Sequence, residues 1–186
     1  MSDCMRPGAW LILAIGVWCS GVGIAAAAQG TAAAGVSAAV LVAEGVDAKG
    51  AIVYKSRAGA LTATLKYAWF VKGPYSADPG KTVRRLLLSA RDIGAAIQDC
   101  KTISCADGQI TEGMTVDFDV SPRLNYWIAL NGQKVQYSGT VEPGAFAARA
   151  NDARHLAGRL AIDDAAAGGP KVDVEFNVRL FKEFKQ

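Results

Sequence analysis

The residues of this chain equipped for chemistry are its single histidine, His155, a set of acidic positions, and the cysteines Cys100 and Cys105. His155 would act as a base if a carboxylate such as Asp152 oriented it and a hydroxyl such as Ser138 lay within reach. Nothing in the local sequence sets a nucleophile beside it, so a histidine at a strand edge is the simpler reading. Asp117 and Asp119 share one face of a strand, with Asp107 and Glu112 just before them. Two such positions lie about 7 Å apart, a spacing that the carboxyl pairs of glycosidases bracket. Glycosidases set that pair across a cleft, however, and calcium needs a loop with six to eight oxygens. Asp107-Gly108 falls short of such a loop, and a solvated strand face is expected for the acids. One histidine is too few for a zinc set, and no G-x-x-x-x-G-K-[ST] loop follows the leader. No metal or cofactor is expected.

Recognition offers more than catalysis. Trp127 is out of phase with Tyr126 and Ile128, so it is either exposed on a carbohydrate- or peptide-binding face or buried against a second sheet. The size of the indole favours burial. Trp69 is expected to point inward. Residues 72–81 hold Tyr75 and two prolines between lysines, and read as a ten-residue loop able to carry recognition. Tyr75, Trp127 and His155 are the candidate binding residues.

The elements that would position these residues follow a period of two. Val172, Val174, Phe176, Val178 and Leu180 alternate with Asp173, Glu175, Asn177 and Arg179, one buried face and one wet. Leu156, Leu160 and Ile162 alternate likewise, and the turn-rich stretch 163–170 should join the two into a hairpin. Residues 124–130 and 133–141 flank Asn131-Gly132, the dipeptide of a two-residue type I′ turn. That turn pairs Leu130 with Gln133, Ile128 with Val135 and Tyr126 with Tyr137. Leu61, Ala63, Leu65, Tyr67, Trp69 and Val71 line one face of a long strand, preceded by a shorter one at 51–56. Leu86-Leu87-Leu88 suits a strand buried on both faces, and Met114, Val116, Phe118 and Val120 mark another. A helix is expected at 91–100 with Ser89 as N-cap, and a helix or loop at 142–151. The pattern predicts an all-β fold, an antiparallel β-sandwich (immunoglobulin-like or similar) of about 7–9 strands with one or two short helices.

The compartment is read from the leader. Arg6 precedes an apolar stretch at 9–18 and a small-residue exit ending in Ala26-Ala27-Ala28, the order of a secretory signal peptide over residues 1–28. Residues 29–45 read as an Ala/Gly-rich linker or edge strand, with the strand at 38–43, and 46–186 as a single domain. Cleavage would leave 158 residues, enough for one sizeable core, and two cysteines, whose even number outside the cytosol favours a disulfide. The mature charge, 19 basic against 16 acidic residues, gives no reason to expect a nucleic-acid partner. Arg84-Arg85 and the lysines at 182–185 read as short clusters on solvated surfaces. No stable membrane span is expected after cleavage.

The segments Leu65-Lys66-Tyr67-Ala68-Trp69, Leu86-Leu87-Leu88-Ser89-Ala90-Arg91-Asp92, Arg154-His155-Leu156-Ala157-Gly158-Arg159-Leu160 and Val174-Glu175-Phe176-Asn177-Val178 come in an order that resembles a group of exported bacterial β-sandwich domains. The resemblance implies fold and location and brings no chemistry with it. Together these readings lead to a periplasmic or secreted β-sandwich, a non-enzymatic module that binds or scaffolds a protein or an envelope component. The alternative is an extracytoplasmic hydrolase using His155 and a nearby carboxylate.

Overall fold

The computed structural model describes residues 46–57 and 59–185. The leader, the 29–45 segment and its strand at 38–43 lie outside the described residues. The elements are β1 (Val46–Ser56), β2 (Gly59–Tyr75), β3 (Asp78–Ser89), α1 (Gly94–Asp99), α2 (Ile103–Gly108), β4 (Gly113–Phe118), β5 (Leu124–Leu130), β6 (Val135–Val141), β7 (Phe146–Asn151), β8 (His155–Asp163) and β9 (Pro170–Glu183). Short 3₁₀ turns precede β7 and β9.

All nine strands join one sheet in the order β6-β5-β4-β3-β2-β1-β9-β8-β7. Sequential neighbours and the β1–β9 pair run antiparallel, and the far end of β9 also meets β2 in parallel. The fold is therefore all-β and antiparallel with two short helices. Its two wings close over one apolar core: Phe118 of β4 packs 5.5 Å from Phe146 of β7, and Tyr54 of β1 lies 6.0 Å from Tyr137 of β6. The alternating residues of β8 and β9 fill that core as their period demands.

A second, smaller core lies on the outer face of β2 and β3. Ile97, Ile103, Ala106 and Ile110 of the helical segment cover Trp69, Val71, Val83 and Leu87. This second layer explains the triple leucine: Leu86 and Leu88 face the main core and Leu87 faces the helices. Burying one such side chain is worth roughly 1.5–3 kcal/mol, so both layers matter. The Cys100–Cys105 disulfide, with Cα atoms 5.5 Å apart, staples α1 to α2. Lys182 of β9 donates to the carbonyl oxygens of Ile97, Gln98 and Cys100 at 3.1, 2.5 and 2.5 Å. It thus supplies the cation that the exposed carbonyls at a helix C-terminus favour, where a solvated surface lysine was expected.

Several local expectations are corrected. Along β2 the core-facing residues are Ala63 and Leu65, then Ala68 and Phe70, so the phase reverses between them. The ladder with β1 slips there, Asp47 and Gly50 standing opposite Tyr67 and Leu65, and such a slip exchanges faces. Trp69 is buried, but against the helices. The 72–81 stretch is mostly strand: β2 runs to Tyr75, β3 restarts at Asp78, and Pro74 sits at the irregularity that tolerates it. The Asn131-Gly132 hairpin forms with a longer loop, pairing Leu130 with Val135, Ile128 with Tyr137 and Tyr126 with Gly139. Asn131, Gly132 and Gln133 all have positive φ, and Lys134 N–H donates to the Asn131 carbonyl, so the left-handed pair centres one residue later. Ser89 caps no helix; its hydroxyl accepts from Arg91 N–H, and α1 begins only at Gly94. Residues 142–151 form a 3₁₀ turn and the edge strand β7 rather than a helix.

Candidate functional site

The outer face of β3, β4 and β5, beside the helix pair, holds the one buried ion cluster among the described residues. Antiparallel register sets Arg85 of β3 directly opposite Asp117 of β4. Arg85 Nε and Nη2 donate to the two carboxylate oxygens of Asp117, the second bond being 2.7 Å long. Arg85 Nη1 donates to Oδ2 of Asp107, carried by α2. Thr102 helps to orient α2, its hydroxyl accepting from Cys105 N–H as an N-cap. Asp117 is fully buried and Arg85 only 5% exposed. Both were expected on solvated faces; the helix pair and the β5 indole cover them.

Trp127 of β5 completes the cluster. Cross-strand pairing places it beside Thr115, and its ring centroid lies 5.7 Å from the Arg85 guanidinium carbon. One indole face thus rests against a cation, a favourable arrangement for a π-system. The side chain is 40% exposed, the one large hydrophobic exposed to this degree among the described residues, so burial against a second sheet is overturned. Trp127 pairs with Ser138 of β6 on one side and Thr115 of β4 on the other, both small and polar.

Around Trp127 runs an open groove of about 550 Å³. Thr115, Ala129, Gln136 and Ser138 line it along the sheet, with Tyr75 and Ser76 at the β2–β3 turn and Asp107 and Gly108 on α2. Gln133 ties the hairpin loop to α2, its Nε2 donating to the carbonyls of Gly108 at 3.0 Å and Ile110 at 2.9 Å. That tether accounts for the longer loop.

One guanidinium faces two carboxylates here, which leaves a net negative charge in a low-dielectric setting. Burial pushes the Asp107 carboxyl up to about 6; Arg85 opposes this, and the charge of Asp117 adds to it. Burial works against the Arg85 guanidinium, but its hydrogen bonds to the Asp117 carboxylate and the charges of both acids hold it above its ordinary value. Asp107 gains less because Arg85 spends two of its three bonds on Asp117, and the second Asp107 oxygen is buried without a partner. Burial thus disfavours the charged form of Asp107 while the two acids favour that of Arg85, and a carboxyl perturbed by burial beside a specific charge partner in a groove marks a candidate functional site.

The remaining candidates lie elsewhere. His155 starts β8 and its Nε2 sits 2.6 Å from the Asn177 amide oxygen. Among the described residues no carboxylate or hydroxyl is hydrogen-bonded to that ring, and Ser138 lines the Trp127 groove instead. Asp152 accepts from Arg154 N–H, which lowers its pKa. Asp119 pairs with Arg84, whose Nη1 also reaches Asn151 and the Asp152 carbonyl, both at 2.9 Å. No group of three or more metal-ligating side chains is assembled among the described residues. No helix among them is long and apolar enough to cross a membrane. Tyr75 and Trp127 therefore share one groove and His155 does not. Arg85 and Asp107 were missed as functional residues. The signal for Arg85 was its place in a strand buried on both faces, one residue before the triple leucine. Compared with known proteins, the chain matches no family model, no curated protein and no solved structure.

Proposed function

We propose that this protein is an exported, non-enzymatic binding module that receives its ligand in the Trp127 groove. Export rests on the leader and on a disulfide suited to an oxidising compartment. Binding rests on one observation above the others: a solvent-facing indole held in place over a buried, hydrogen-bonded guanidinium. Exposing an indole and burying a carboxylate with one oxygen unpaired both cost stability, and such costs are retained where a surface has a use. Groove volume and lining agree, since the site combines an aromatic face with hydroxyl and amide groups, as ligand sites do. The hydrolase reading finds no support in the His155 geometry, where the ring meets an amide.

The test is a calorimetric titration of the purified protein and its variants, with the Trp127 fluorescence of the parent, read as the difference from Trp127→Phe, locating the response. Peptides, oligosaccharides and envelope fragments are the probes. Trp127→Ala and Tyr75→Ala should each weaken the responding probe by roughly tenfold or more, the effect of losing an aromatic anchor. If no probe perturbs Trp127, or if both variants bind as the parent does, the groove is not the site.

A further inference from the structure

We infer that the groove's ligand is an extended polypeptide segment that adds as a strand beside β6 and lays a basic side chain across Ser138 toward Trp127. This inference rests on the binding reading above and gives it a substrate class. Two independent features point the same way: an unguarded sheet edge and a negatively charged groove alongside it.

β6 ends the strand order, and no described strand pairs with its outer side. Natural sheet edges are commonly blunted by charge, proline or a bulge. β6 reads Val-Gln-Tyr-Ser-Gly-Thr-Val and carries no charge and no proline, and its ladder with β5 runs without a slip over seven pairs. The opposite edge is guarded: β7 holds Arg149 and a register shift between Ala148 and Ala150. Among the described residues, Arg123 Nη2 reaches the β6 backbone, 3.5 Å from the Thr140 carbonyl. Such an edge accepts main-chain hydrogen bonds from an incoming strand, the mode in which extended peptides extend a sheet.

The groove then sets the side-chain preference. Gln136 and Ser138 of β6 are exposed and line it, and Ser138 pairs directly with Trp127 of β5. A residue opposite Ser138 on an added strand lies two strand spacings from Trp127, about 10 Å between Cα atoms. A lysine or arginine can span most of that distance over the small serine. Its cation would approach the open face of the indole and a cluster in which two carboxylates outnumber one guanidinium. An acidic side chain in the same place would meet uncompensated negative charge.

The experiment uses the purified chain and the heptapeptide Thr-Val-Thr-Lys-Thr-Val-Thr. Companion peptides carry Gln or Glu at the centre, or N-methyl groups on alternate amides. Trp127 fluorescence, read against Trp127→Phe, reports the binding. The lysine peptide should bind about tenfold more tightly than the glutamine one, corresponding to about 1.4 kcal/mol, with the glutamate peptide weakest. N-methylation of the pairing edge should abolish binding, and Asp107→Asn should shrink the lysine preference while sparing the backbone contribution. A glutamate peptide that binds as well as the lysine one, or an N-methylated peptide that binds unchanged, overturns the inference. An oligosaccharide such as chitohexaose perturbing Trp127 where every peptide fails would overturn it too, yet leave the groove as a binding site. Silence from all probes sinks both.

Discussion

Asp107 keeps its proton to a higher pH in the folded chain than it would in an unfolded one, about 6 against 3.8, mainly because burial disfavours its charged form. The sign of the consequence follows from proton counting. Between those two values the native state binds more protons, so this group's contribution to stability declines as pH rises, and it is flat above about 6. The difference is at most about 3 kcal/mol, at 1.36 kcal/mol per pKa unit. Asp107→Asn retains an acceptor for Arg85 and removes the buried charge. Urea unfolding should show the variant gaining stability over the parent between pH 4 and pH 7; an equal difference at both values would contradict the account. The residues behind this effect were poorly legible in the sequence. Asp117 alternates with Val116 and Phe118 as a wet-face residue should, and the period of two carries no information about the helix pair α1 and α2, upstream in the chain, covering that face. Arg84 and Arg85 look equivalent in the chain, yet strand alternation sends them to opposite faces, one toward Asp119 and one into the ion cluster.

At the scale of elements, the helix pair is the part that holds the groove wall in place. α1 and α2 are six residues each, too short to be stable alone, and depend on the disulfide, Lys182 and the Thr102 cap. Replacing both cysteines by serine should cost about 2 kcal/mol, as the loop-entropy model gives for so small a ring, with the tertiary fold retained. The same variant should also weaken groove binding, because α2 carries Asp107 and accepts the Gln133 tether. Thermal unfolding and the Trp127 titration read these two effects separately. Elements with a clean alternation were legible: the β8–β9 hairpin formed with the faces expected of Leu156, Leu160, Val172 and Phe176. The β5–β6 hairpin was legible in place but not in loop length or register, since Asn131-Gly132 marks the bend while Gln133's bonds to α2 decide the loop length. The phase reversal in β2 was signalled only by Phe70, an aromatic on a face that otherwise read as polar. A slip between strands distant in sequence leaves little local trace.

For the whole molecule, the sheet's order matters more than its strand count. The all-β class was readable from alternation alone, whereas the single continuous sheet was not, because strand order is a long-range property. β1 and β9 lie side by side in the interior of that sheet, with Lys49 beside Glu175 across 126 positions of chain. Pairing so remote demands closure of nearly the entire domain before it returns any stabilisation. Refolding from urea should therefore fall in the millisecond-to-second range of non-local β topologies, and a microsecond phase carrying the full Trp69 signal would contradict this. During synthesis this seam can close only after its last strand emerges. Until then β1 is an edge strand paired to β2 alone, and β7 and β8 await the strand that joins them to the rest of the sheet.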